Sequence, residues 1–142
     1  MRCDVAIEID APAPEVWAVL TDVTRWPEWT PTMNEVRLRD GGKLGPASSA
    51  EIRQPRLPKA VWTVTEFEDG HRFAWTASGP GVRTVGDHRV EPLAGDRCRV
   101  TIGIETSGPL ARPFWLLAGG LTRRYVSLEA MSLKRRCELT NS

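Results

Sequence analysis

SGPLARPFWLLAGGLTRRYVSLEAMSLKRRC, residues 107–137, is the stretch whose reading decides the fold. Set at 100° per residue, Leu110, Phe114, Leu117, Ala118, Leu121, Tyr125 and Leu128 share one stripe, and Arg112, Arg123 and Lys134 lie opposite. That spacing predicts an amphipathic helix. Pro113 belongs in its first turn, where a missing N–H removes no internal hydrogen bond. From Pro113 to Glu138 such a helix is roughly 39 Å long at 1.5 Å per residue. Nothing else in the chain could form one as long, so it is expected to lay its stripe on a sheet. Gly119 and Gly120 fall in mid-helix, where each costs about 1 kcal/mol relative to alanine. They imply a bend, close packing on a strand, or room for a ligand. A flanking edge of Trp115, Val126 and Leu133 is left over, with Leu116 further round. It is either cover for a neighbouring element or a contact surface.

The residues before this helix read mostly as short strands. Cys3, Val5, Ile7 and Ile9 alternate with Asp4, Ala6, Glu8 and Asp10 in a half-buried first strand. Ala11-Pro12-Ala13-Pro14-Glu15 then opens a helix whose buried side is Val16, Trp17, Leu20 and Val23. Thr24 to Pro31 is a very short helix or turn presenting Trp26 and Trp29. Strand-like runs follow at 35–39, 47–54, 59–67, 72–77, 82–91 and 97–105. They are punctuated by Asp40-Gly41-Gly42, Pro55-Arg56-Leu57-Pro58, Glu68-Asp69-Gly70-His71 and Ser78-Gly79-Pro80-Gly81. The run at 82–91 puts Thr84, Gly86, His88 and Val90 on one side, and the next puts Cys98, Val100, Ile102 and Ile104 inward. Hairpin succession favours an antiparallel sheet, and the helix can cover only one of its faces. The expected class is α+β: a strongly curved antiparallel sheet of about seven strands around a long C-terminal helix, with two short helices after the first strand.

Composition sets the limits. The 142 residues are 41% hydrophobic, enough for one domain with its own core, residues 1–142. Net charge is +1 with both signs interspersed, which argues against a nucleic-acid partner. The longest apolar run, Pro113 to Leu121, is too short for stable membrane insertion. No signal-peptide core precedes the first strand, and the odd, scattered Cys3, Cys98 and Cys137 read as reduced thiols, so a cytoplasmic location is expected. No zinc spacing, phosphate-cradling glycine loop or serine elbow is found, and neither metal nor cofactor is expected.

Several motifs carry a family resemblance: Ala11-Pro12-Ala13-Pro14-Glu15-Val16-Trp17 with Leu20-Thr21-Asp22, Trp26-Pro27-Glu28-Trp29, Trp62-Thr63-Val64-Thr65-Glu66, Phe73-Ala74-Trp75, His88-Arg89-Val90-Glu91-Pro92, and Glu129-Ala130-Met131-Ser132-Leu133-Lys134. Together they resemble the START-like (SRPBCC), helix-grip superfamily, and within it the polyketide cyclase/dehydrase-like group. The resemblance implies an apolar cavity between sheet and long helix that binds a small hydrophobic molecule: a lipid, an aromatic or a polyketide-like metabolite. It leaves open a cyclase or dehydratase using the same cavity, or a protein-interaction module like the chaperone activators of this fold. The protein is expected to be a monomer or homodimer.

The expected walls follow from alternation. Phe73, Trp75, Thr84 and His88 point from the sheet to the helix, and Phe114, Leu117, Leu121 and Tyr125 form the opposite wall. Trp62 has no assigned face, because both sides of its strand are apolar or threonine. Trp26 and Trp29 are either wedges under the short helices or a pocket rim. Six tryptophans against one tyrosine favour an aromatic pocket over plain core. His88 is the one inward residue of acid/base type. It is either a buried imidazole hydrogen-bonded to backbone or Tyr125, or a proton-transfer group. His71 falls in an exposed turn, and Glu51 and Arg53, on one side of a strand, either reach the cavity or lie on an outward, salt-bridged face.

Overall fold

The computed structural model describes residues 1–39 and 41–140, the side chain of Thr140 excepted. Its elements run β1 (Arg2–Ile9), α1 (Ala13–Thr21), a 3-10 turn (Val23–Arg25), α2 (Trp26–Trp29), β2 (Glu35–Leu38), β3 (Ser49–Arg53), β4 (Ala60–Glu68), β5 (Arg72–Gly79), β6 (Val82–Leu93), β7 (Arg97–Ser107) and α3 (Ala111–Thr140). The strands form one antiparallel sheet in the order β1-β7-β6-β5-β4-β3-β2. Every neighbour except the β1–β7 pair is consecutive in the chain, so hairpins build the sheet and the first strand closes against the last. This is the antiparallel α+β arrangement expected from the hairpin succession, and the helix-grip fold that the family resemblance implies. The turn assigned to Asp40-Gly41-Gly42 begins on Asp40, which lies outside the described residues.

The α3 helix lies across the concave face, packed chiefly on β1 and β7. Its C-terminal half is strapped down: Lys134 Nζ donates to the Glu8 carbonyl at 2.9 Å, and Glu138 Oε2 accepts the Asp10 N–H at 2.9 Å. Beneath that half, Ile9, Val16, Leu20, Val100, Ala130 and Leu133 are all fully buried. These residues make the packed floor of the fold. The α1 face is as expected, with Val16, Trp17 and Leu20 buried and Pro14 in its first turn.

The face that α3 presents differs from the expected stripe by one residue, or about 100°. Its buried line is Ala111, Trp115, Gly119, Val126, Glu129, Ala130, Leu133 and Cys137. Leu110 is half exposed and Leu117 is 91% exposed. The physical reason is shape. Trp115 turns inward beside Gly119, where an added Cβ would stand 3.0 Å from the indole Nε1. Gly119 therefore makes room for the Trp115 indole, and it is not part of the cavity lining. The Arg123 guanidinium covers the same indole, 5.5 Å from the ring centroid. The expected Trp115–Leu116 edge is thus split, and the exposed pair is Leu116 and Leu117.

Candidate functional site

Between the N-terminal half of α3 and strands β3 to β7 lies a cavity of about 630 Å³. That size suits a small organic ligand. Its sheet wall is Ile52, Trp62, Trp75, Thr84, Gly86, His88, Ile102 and Ile104; its helix wall is Phe114, Thr122, Tyr125, Val126 and Glu129. Trp26 and Met33 close the end under the short helices, and Gln54 and residues 57–61 with residues 77–80 border the opposite side.

Local rules explain how the strands deliver these groups. On β6 the period of two sends Thr84, Gly86 and His88 to the concave face, as alternation predicts. Gly86 is needed beside Trp75: the two residues are paired across β5 and β6, and a Cβ at 86 would approach the indole to 3.0 Å. A register shift between Val64 and Glu66 marks a bulge in β4, and upstream of it Trp62 joins the wall, 6.0 Å from the Trp75 ring. Trp26 is wholly buried, donates from Nε1 to the Leu20 carbonyl at 2.9 Å, and lies 5.4 Å from Trp75. Tyr125 donates its hydroxyl to the Pro55 carbonyl, which ties the β3–β4 loop to the helix. In that loop Arg56 holds a left-handed φ of 66°, a conformation that favours glycine.

Of the residues named from the pattern, Trp26, Trp62, Trp75, Thr84, His88, Phe114 and Tyr125 stand together around the cavity. Four do not. Trp29 packs behind Trp26, at 5.7 Å, and its Nε1 is buried with no partner. Phe73 is fully buried beneath His88, whose ring stacks on it at 4.3 Å and 10°. Leu117 and Leu121 are carried away by the phase of α3, one fully into solvent and one half-buried.

His88 is 3% exposed, and its partner is neither backbone nor Tyr125. Its Nε2 stands 3.5 Å from Glu129 Oε1, a separation at which no hydrogen bond forms. His88 Nδ1 and Glu129 Oε1 are both buried without a hydrogen-bond partner. Glu129 is the residue that sequence reasoning missed. The signal was present, since it follows Tyr125 by four positions and shares its side of the helix. The neighbouring Leu128, which continues the apolar stripe, masks it. Glu51 does face outward, paired with Lys59 at 3.1 Å, and that contact holds its carboxyl below the ordinary range. His71 is exposed.

The family model described as polyketide cyclase / dehydrase and lipid transport matches residues 2–138. The chain belongs to that family. A START superfamily protein from Mycobacterium smegmatis superposes with a TM-score of 0.72 at 16% identity, covering 98% of each chain. The di-domain ARO/CYC protein BexL superposes at 0.74 with 19% identity, covering 100% of this chain and 48% of its own. Norcoclaurine synthase from Thalictrum flavum, solved with dopamine and hydroxybenzaldehyde, gives 0.73 at 14% identity over 95% of this chain and 84% of that one. At such identities the likeness speaks for the fold. Among curated proteins no match is found. Among the described residues no helix is long and apolar enough to cross a membrane, and no cluster of three potential metal ligands occurs.

Proposed function

We propose that this protein, as a single domain, binds a small hydrophobic molecule in the cavity between sheet and α3. The observation that carries the reading is the wall itself: about 630 Å³ bounded by Trp26, Trp62, Trp75, Phe114 and Tyr125. Aromatic walls with few polar groups suit a flat, apolar ligand and supply orientation through their ring faces. A packed core would have filled this volume, because interiors close to a density that leaves few voids larger than water.

Trp75 reports on occupancy, because it lies in the wall within 6.0 Å of Trp26 and Trp62. Titrating a flat aromatic compound such as naphthalene should change tryptophan emission saturably, and Trp75→Phe should remove much of that change. An undiminished signal in the variant would move the site elsewhere. No saturable response to a diverse lipophilic set would favour a protein-interaction module.

A second reading rests on one observation, the buried His88–Glu129 pair in the wall. A histidine beside a carboxylate is able to move a proton on a bound ligand, as cyclisation or dehydration requires. His88→Gln separates the two. It should lower turnover of a substrate ~100-fold or more while barely changing affinity if His88 transfers a proton. Parallel small losses in both would leave binding alone.

A further inference from the structure

Among the described residues four buried side-chain polar atoms lack a hydrogen-bond partner: Trp29 Nε1, His88 Nδ1, Thr106 Oγ1 and Glu129 Oε1. Two of them belong to the pair that faces the cavity. A buried carboxylate without hydrogen bonds is expensive, and natural structures keep such groups where something else completes them. The surroundings offer no completion. The His88 ring is stacked on Phe73 and flanked by Trp26 at 5.5 Å and Trp75 at 5.7 Å. Lys59, the cation among the lining residues, is held by Glu51 at 3.1 Å.

We propose that the ligand of this cavity is an aromatic molecule bearing a hydroxyl group, and that the hydroxyl seats between His88 Nε2 and the Glu129 carboxylate. This rests on the binding reading above and narrows it to a ligand class. An orphaned acceptor is tolerated better than an orphaned N–H, so the unpartnered Nδ1 places the ring proton on Nε2. The site then presents one donor, Nε2–H, beside one acceptor, the carboxylate, 3.5 Å apart. A hydroxyl is the group that matches both with one atom: its oxygen accepts from Nε2–H while its proton is donated to Glu129. A carboxylate only accepts, and its charge would stand against Glu129. An ammonium only donates, and would face the Nε2–H. The same two residues therefore select a hydroxyl and reject an acid, while Trp26, Trp62 and Trp75 take the ring.

The test uses three probes of one shape: 2-naphthol, 2-methylnaphthalene and 2-naphthoate, titrated calorimetrically near neutral pH. Wild type should bind 2-naphthol at least ~10-fold tighter than 2-methylnaphthalene, as a hydrogen bond to a charged group allows, and 2-naphthoate weakest. Glu129→Leu should erase the preference for 2-naphthol while keeping 2-methylnaphthalene binding. Glu129→Gln should relax the rejection of 2-naphthoate ~10-fold or more. Near-UV circular dichroism confirms the fold of each variant, and either one suffices for the comparison. Equal binding of 2-naphthol and 2-methylnaphthalene by wild type overturns the proposal and leaves the binding reading intact, as does a preference that survives in the variants. Binding of none of the three overturns both.

Discussion

Asp87 and His88 are neighbours on β6, both buried, and they face opposite sides of one sheet. On the convex side Asp87 accepts from Arg72 Nε at 2.8 Å and from Arg89 Nε at 3.2 Å, and Arg2 Nη2 stands 3.8 Å from its Oδ2. Arg72 in turn reaches Glu66 at 2.6 Å, and Arg2 reaches Glu105 at 2.7 Å. On the concave side His88 and Glu129 have no hydrogen bond at all among the described contacts. The chain thus builds a complete polar network one residue away from an incomplete one. Where only stability is at stake, buried charges are paired and hydrogen-bonded; where they are left open, the neighbouring space is a cavity. Violations of that kind concentrate at functional sites.

The concave side is itself divided, into a packed floor under the second half of α3 and an open chamber under the first. Leu133 is wholly buried in the floor, whereas Leu117 is 91% exposed beside the chamber. Leu133→Asp should therefore have the largest effect of any change considered, on the order of 4 kcal/mol or more, enough to abolish cooperative folding. Leu117→Asp should alter stability by no more than about 0.5 kcal/mol. Urea denaturation of both variants checks the pair. Reversed results would show that α3 is turned with its large residues inward.

That pair also shows what was legible in the sequence. Strands came through because a period of two needs few residues: Cys98, Val100 and Ile102 are buried, while Arg97 and Arg99 are exposed. The short helices were marked by proline and tryptophan, and the hairpin order followed from the turns. The phase of α3 does not follow, because two apolar lines one residue apart compete on this helix, and the one through Leu110, Phe114, Leu117, Leu121, Tyr125 and Leu128 is the more continuous in sequence. This helix turns Ala111, Gly119, Ala130 and the polar Thr122 and Glu129 inward. A helix over a chamber need not present its largest residues to the sheet, so Leu116 and Leu117 are left outside. The same misreading put Leu117 and Leu121 on the cavity wall and kept Glu129 off it. On the sheet side, Thr84, His88 and Trp75 needed only alternation to be placed correctly.

The paired side of the comparison is broken at Asp87. Burial pushes its carboxyl up, but hydrogen bonds and charge from Arg72, then Arg89, outweigh this and hold it below its ordinary value. Asp87→Asn removes the charge while keeping the shape, and should cost about 2 kcal/mol at neutral pH, reduced by the exposure of Arg89. The sign with pH follows from the depressed value. A carboxyl held lower in the folded than in the unfolded protein contributes fully above its unfolded value of about 3.9. The contribution is lost as pH falls through the folded value. The stability gap between wild type and Asp87→Asn should be constant from pH 7 to about 5 and close below about 4. Denaturation midpoints measured across that range test it. A gap that persists at low pH would mean that the loss comes from altered packing and not from the charge.

The unpaired side gives the smallest effect, and its sign is what matters. If His88 and Glu129 were a structural ion pair, removing the carboxylate would strand an imidazole and destabilise the protein by several kcal/mol, as breaking a buried pair does. If the pair is held open for a ligand, the empty protein pays for Glu129 and receives nothing from it. Glu129→Leu, close in volume and in a cavity wall that also holds Val126 and Trp26, then replaces an unsatisfied carboxylate with an apolar side chain. The expected result is a gain of about 1 kcal/mol in the ligand-free protein, or a rise in Tm of about 3–5 °C for a chain of this size. His88 is left no worse than before, since its Nε2 lies 3.5 Å from Glu129 with no hydrogen bond to lose. Scanning calorimetry of the two ligand-free proteins reads the sign directly. A rise identifies the pair as a concession to function on the face opposite Asp87, and a fall of several degrees would make it one more structural salt bridge.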